Sequence, residues 1–219
     1  MGRLGIWGSA AVAVLAAGGG WLAAQGTREA VAHPPRFPQL TLEQLTPAQR
    51  PVGEKILKVS SVGLAGPYNP MIRSPEMAQQ MYDLLDYLRW HTSVPTRLNE
   101  FAILIQGRLW RSQVEWFAHY PLAIKAGLSE QVAADLKANK RPEGMKPDEA
   151  AVYDFCMELS TQHAISDETF ARAKAVLGEQ GVVDLTALTG TYVTVAMLLS
   201  MAEEGVPPGK EPPFKPGER

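Results

Sequence analysis

A chain of 219 residues with 46% hydrophobic and 20% charged residues has the proportions of one globular domain that can bury a single core. Its net charge of −2, with basic residues scattered along the chain, argues against nucleic-acid binding, which needs a concentrated basic surface. The single cysteine, Cys156, excludes an intrachain disulfide, a CxxC redox pair and a multi-cysteine zinc site.

Residues 1–24 read as an export signal: Arg3 supplies a short basic start, and Ile6 to Leu22 is an uncharged Ala/Val/Gly/Leu stretch. Small residues permit cleavage after Ala24 or at Ala30-Val31-Ala32, before His33. The alternative is an uncleaved membrane anchor, weakened by Gly18-Gly19-Gly20 and the many alanines. Either way the folded part is expected outside the cytoplasm, periplasmic or secreted. Residues 25–45 are Pro-rich and read as an extended leader.

Thr46-Pro47-Ala48-Gln49 carries a helix-start signature, with Thr as N-cap, Pro at the first helical position and Gln completing a capping box. That helix is expected to reach Val59. Residues 63–70 form a Gly/Pro loop that turns the chain or lines a pocket with Tyr68 and Asn69. Ser74-Pro75-Glu76 starts the next helix, with Met77, Met81, Leu84, Leu85 and Leu88 as its apolar stripe, and Pro95 ends it.

Leu98, Phe101, Ala102, Ile105 and Leu109 then recur at helical spacing. In the helix that follows, Glu115 and His119 stand one turn apart, so a carboxyl and an imidazole share a face. If the two helices form a hairpin, Glu100 can join them. Such a cluster inside apolar surroundings would perturb its own pKa values, as proton transfer requires. Simpler fates compete: Ser112 and Glu115 fit a capping box, His119 a satisfied core histidine, and Glu100 an ion pair with Arg97 or Arg108. A metal needs a further imidazole from His91 or His163, and no metal is expected.

Gly127 is placed to cap the second hairpin helix, and Ser129 starts a short helix to Lys137. Residues 139–147 read as a polar loop and Asp148 to Gln162 as a helix, on whose apolar face Cys156 lies with Val152, Phe155 and Leu159. Ser166 begins a helix ending at Gly178. Val182 to Glu203 is the most apolar helix after the signal, holding Tyr192, Val195, Leu198 and Leu199. The Pro/Lys/Glu-rich stretch 206–219 is expected to be disordered. No strand pattern, nucleophile elbow or phosphate loop is present. The expected fold is all-α, a compact bundle of about seven or eight helices built around the central hairpin.

The hairpin resembles the carboxymuconolactone decarboxylase family, which includes the alkyl hydroperoxidase D-like proteins. The matching elements are R-L-N-E-F-A-I-L at 97–104, W-R-S-Q-V-E-W-F-A-H at 110–119, P-L-A-I-K-A-G-L-S at 121–129 and G-V-V-D-L-T-A-L-T-G-T-Y at 181–192. The resemblance spans 45–205 and implies a helical domain, set here at 46–205, and a homo-oligomer. The family's peroxidase branch has C-x-x-C-x-x-x-H; here Ser112 and Glu115 replace both cysteines and His119 is kept. A serine and a carboxylate cannot cycle through a disulfide, so that activity is expected to be absent. The decarboxylase branch is closer, and Glu100 falls where the peroxidase branch places a relay glutamate.

The expected function is cofactor-free acid–base chemistry of the lyase type on a small organic acid or lactone. His119 would shuttle a proton, Glu115 orient or charge it and Glu100 complete the relay. Ser112, Trp116 and Tyr192 would shape the pocket. The alternative is a non-catalytic binding or assembly protein on the same fold.

Overall fold

The computed structural model describes residues 34–60 and 62–215. The expected signal and its cleavage sites lie outside them. The described residues form eight α-helices and no strand: α1 (Arg50–Val59), α2 (Tyr68–Met71), α3 (Pro75–Asp86), α4 (Thr96–Leu109), α5 (Gln113–Lys125), α6 (Glu130–Lys137), α7 (Pro147–Gln162) and α8 (Asp167–Ala202). A 3-10 turn at Leu42–Gln44 precedes α1, inside the stretch read as extended, and a π-helical turn at Tyr87–His91 extends α3.

Helix α4 is the hub. Every residue from Leu98 to Arg108 is buried, because α5, α6, α7 and α8 surround it. An amphipathic surface helix shows one apolar stripe; a helix covered on all sides must bury polar groups too, and α4 buries Asn99, Glu100, Gln106 and Arg108. A second, smaller cluster around Ile56, Met71 and Ile72 joins α1, α2 and α3 to Val195 and Leu199 of α8.

Local signals set most boundaries. Thr46 and Gln49 bond reciprocally, the Thr46 N–H to Gln49 Oε1 at 3.0 Å and the Gln49 N–H to Thr46 Oγ1 at 3.4 Å, in a turn that leads into α1. The carbonyl of Pro95 accepts the Leu98 and Asn99 N–H groups in the first turn of α4. Gly127 (φ 97°) closes α5: the Leu128 N–H bonds Ala123 O and the Gly127 N–H bonds Ile124 O, a Schellman motif. Ser129 and Ser166 cap α6 and α8 through their hydroxyls. At Gly178 (φ 71°) the backbone leaves helical geometry, so the span α8 is two helices that meet at a kink, the first ending at Gly178 as expected.

Two expectations need correction, the apolar stripe of α3 and the disordered tail. In α3, Met77 and Leu84 are exposed, and the buried positions are Ala78 and Met81, followed by Leu88 in the π-helical turn. The small Ala78 faces the core, which turns the helix away from the stripe read from its larger residues. Asn69 ties the loop down: its amide donates to Phe37 O (2.9 Å) and Glu204 Oε1 (2.6 Å), and the Arg36 N–H bonds Ala202 O (2.8 Å), which clamps the N-terminal segment to the end of α8. The tail to residue 215 is held rather than disordered. Phe214 is 1% exposed, packs its ring against Trp116 (centroids 5.3 Å apart) and lies under the Arg108 guanidinium. Gln113 grips its backbone twice, accepting from the Phe214 N–H at 2.9 Å and donating to its carbonyl at 2.8 Å.

Helix α8 is the one described helix long and apolar enough to cross a membrane by length and composition, and 56% of its most apolar window is buried inside the domain.

Candidate functional site

The hairpin turn decides what Glu115 can do. Arg111 adopts φ 51°, the left-handed conformation usually given to glycine, so that its N–H bonds Arg108 O and the Ser112 N–H bonds Gly107 O at 2.8 Å. The Ser112 N–H is therefore spent on α4. A capping box would need that same N–H to be taken by the Glu115 carboxyl, and neither Glu115 oxygen has a hydrogen-bond partner. The capping-box reading of Ser112 and Glu115 is excluded.

The structure brings Glu100 and His119 together. His119 Nδ1 lies 2.6 Å from Glu100 Oε2, both side chains being buried. A carboxylate at Nδ1 holds the proton there, which leaves Nε2 with a lone pair as the basic atom. Glu100 has a second partner that the sequence did not reveal: Arg89 Nη2 stands 3.5 Å from Glu100 Oε1. Arg89 comes from the π-helical turn, its guanidinium over the Trp90 ring and its Nε buried without a partner. No spacing in Y-L-R-W-H pointed to it; the one signal was an arginine beside a tryptophan. Burial lowers the His119 pKa; the Glu100 bond and charge oppose this, and the Arg89 charge adds to it, so the ring is held neutral below its ordinary titration.

Glu115 differs from both. It is 3% exposed, and burial raises its pKa to about 8, with the Ser112 hydroxyl beside it, outside hydrogen-bonding geometry, opposing the shift. A carboxyl with that value carries a proton at neutral pH. The assignment of Glu115 as the residue orienting His119 is thus corrected: Glu100 does so, because it faces Nδ1 from α4, whereas Glu115 shares an element with the ring and makes no bond to it. Helix α5 packs directly on α4 here: a Cβ on Gly107 would meet the Glu115 Cβ at 3.6 Å, an ordinary van der Waals contact.

Tyr192 of α8 stands edge-on to His119, ring centroids 5.1 Å apart and planes at 88°. Burial raises its pKa, and the charges of Arg89, Glu100 and Glu115 all reach it, so these groups share one region with Tyr192. Tyr68 approaches from α2; burial raises its pKa and Arg89 opposes the rise. The Trp116 ring stacks on Tyr120 and meets the Phe214 ring edge-on. An open hollow of about 330 Å³ lies elsewhere, lined by Arg141, Tyr153, Asp154 and Glu158 of the α7 region. Among the described residues no group of three or more His, Cys, Asp or Glu side chains gathers as metal ligands. Cys156 is buried near the Thr189 hydroxyl at 3.6 Å, and burial pushes its thiol up to about 12.

Comparison with known proteins gives the fold. No protein-family model matches the sequence, and no curated protein matches it. Among solved structures the chain is similar to the alkylhydroperoxidase AhpD core of an uncharacterized peroxidase-related protein from Ralstonia eutropha JMP134, with a TM-score of 0.66 and 14% identity over 78% of this chain and 92% of that one. The chain has the AhpD-like all-α fold.

Proposed function

We propose that Glu115 and His119 form an acid–base pair for proton transfer to and from carbon, in an exported lyase that acts on a small organic acid or lactone. The observation that carries this is the divergence of two neighbouring titratable groups: a carboxyl kept protonated to about pH 8 and an imidazole kept neutral. Environments that push such a pair apart assign an acid and a base. At neutral pH Glu115 is the donor, and His119 Nε2, oriented through Nδ1 by Glu100, is the acceptor.

With a 3-oxo acid or its vinylogue, loss of carbon dioxide breaks a carbon–carbon bond and leaves the electron pair as an enolate. The Glu115 proton then forms the new C–H bond, and His119 returns a proton from solvent to Glu115. The unpartnered Nε of Arg89 suits a carboxylate or enolate oxygen of such a substrate. None of these steps calls on a cofactor. Dithiol peroxidase chemistry is disfavoured by Ser112 and Glu115 at the dithiol positions and by the buried, protonated Cys156.

The test is deuterium incorporation from heavy water into a panel of 3-oxo acids and unsaturated lactones, with carbon dioxide release measured in parallel. Turnover by the wild type that is lost in Glu115→Gln and His119→Gln supports the reading. Turnover unchanged in both variants, or absent across the panel, overturns it. A second reading, a binding or assembly protein on this fold, is favoured by one observation: Glu100, Glu115 and His119 are all nearly closed off from solvent.

A further inference from the structure

The π-helical turn Tyr87–His91 is expensive, because wide i→i+5 turns are rare and are found mostly as single turns at functional sites. What stabilises it is a buried carboxylate. Asp184 of α8 accepts from the Ser93 N–H at 3.0 Å, the Ser93 hydroxyl at 2.9 Å, the Thr92 hydroxyl at 2.9 Å and the Tyr87 hydroxyl at 3.1 Å. Both ends of the turn are thus gathered onto one side chain. On the inner side, the Asn99 amide of α4 donates to Leu88 O at 2.7 Å, which satisfies a carbonyl within the turn. Gly181, one turn before Asp184, is required by the kink at Gly178: a Cβ there would stand only 2.7 Å from the Leu177 Cβ, whereas the Ser93 hydroxyl lies at an ordinary 3.5 Å.

Asp184 has no cationic partner among the described residues. Burial would raise its pKa, and the Ser93 N–H with the Thr92, Ser93 and Tyr87 hydroxyls outweighs burial and lowers it. A charge buried without a counter-charge is a costly way to fasten a loop when apolar packing would serve. The turn it fastens carries Arg89, and an α-helical turn here would rotate that residue by on the order of 100° per position of register change.

We propose that Asp184 is a positioning residue of the acid–base site: by gathering Tyr87, Thr92 and Ser93 it fixes the π-helical turn in the register that sets the Arg89 guanidinium against Glu100. The proposal rests on the acid–base reading of Glu100, Glu115 and His119, and it can fail separately from it. Its chain of contacts runs from Asp184 through the turn to Arg89, then to Glu100 at 3.5 Å and on to His119 at 2.6 Å.

The experiment is an NMR titration of the His119 ring in wild type, Arg89→Gln, Asp184→Ala and the double variant. The groups facing the ring are Glu100, Arg89 and Tyr192, with Glu115 on the same helix. Arg89 opposes the imidazolium, so its release raises the His119 pKa. We expect Arg89→Gln and Asp184→Ala each to raise it by roughly half a unit, and the double variant by no more than one of them. The sign is diagnostic. Direct loss of the Asp184 negative charge would lower the His119 pKa, and a merely structural Asp184 would reduce thermal stability with the titration unmoved. Either result overturns the proposal, as does an Arg89→Gln variant that titrates like wild type. If Asp184→Ala does not fold, Thr92→Val with Ser93→Ala removes two of the four donors and should give a smaller rise, while Asp184→Asn, which keeps an acceptor oxygen, should titrate near wild type. The readout needs no substrate, so its failure leaves the deuterium-exchange test of the acid–base reading untouched.

Discussion

His119 is bonded at 2.6 Å to Glu100, nineteen residues away on the facing helix, and not to Glu115, one turn away on its own. The two carboxyls consequently divide the work. Glu100 sits where an imidazolium would be stabilised, and Glu115 sits where only its neutral form is tolerated.

Replacing Glu100 by Gln should therefore lower the His119 pKa further, since Glu100 is the group that opposes the effect of burial. A fall of about one unit is expected for a buried partner. Glu115→Gln should move the ring much less. NMR titration of both variants checks the contrast, and equal shifts would mean that the two carboxyls are interchangeable partners.

Glu115 also shapes stability against pH. Between the ordinary value of 4.5 and about 8, the native protein holds a proton on Glu115 that the unfolded chain releases. Stability contributed in acid is lost as pH rises through that window, at up to about 1.4 kcal/mol per pH unit. His119 acts at the other end: below its ordinary 6.5 the unfolded chain binds a proton that the buried ring refuses, so stability falls as the medium is acidified. Urea titrations from pH 5 to pH 9 should show wild type declining towards high pH and Glu115→Gln declining less.

Phe214→Ala should cost about 3 kcal/mol, the scale of a core aromatic truncation, and lower the Tm. A disordered tail would give no change. Calorimetry of the variant and of a chain ending at Glu211 decides, and the two should agree because Phe214 carries the anchoring.

Cys156 should resist thiol reagents in the folded protein and react fully once unfolded, as a buried thiol pushed up to about 12 requires. Peroxide consumption with dithiol reductants should be absent from wild type and from Cys156→Ala alike.

The outer face of α8 carries Val183 (67% exposed), Met197 and Met201 in exposed positions. Light scattering at micromolar concentration should give a homo-oligomer, and Val183→Glu with Met197→Glu should shift it towards monomer if that face is used.

Features written in a few adjacent residues were legible in the sequence. The Gly127 close of α5 and the Ser129 and Ser166 caps each depend on a local hydrogen bond that residue type announces. The hairpin and the presence of Glu100, Glu115 and His119 in one region followed from helical spacing and from the family resemblance. What escaped depends on distant partners. Helical spacing pairs Glu115 with His119, yet the bond goes to Glu100, because the rotation of α4 about its own axis is set by packing on four other helices. Arg89 was invisible because a π-helical turn shifts the register that a 3.6-residue period assumes. The tail read as disordered because composition averages over residues, and here one phenylalanine outweighs its Pro-rich neighbours.

The grip of Gln113 on Phe214, 101 residues further along the chain, sets the order in which the domain can be completed during synthesis. The apolar hub α4 is synthesised before α7, α8 and Phe214, which cover it. Until then the hub has only its hairpin partner and α6 for shelter. A chain made only as far as α6 thus displays hydrophobic surface, for which holding chaperones and aggregation compete until the covering segments follow.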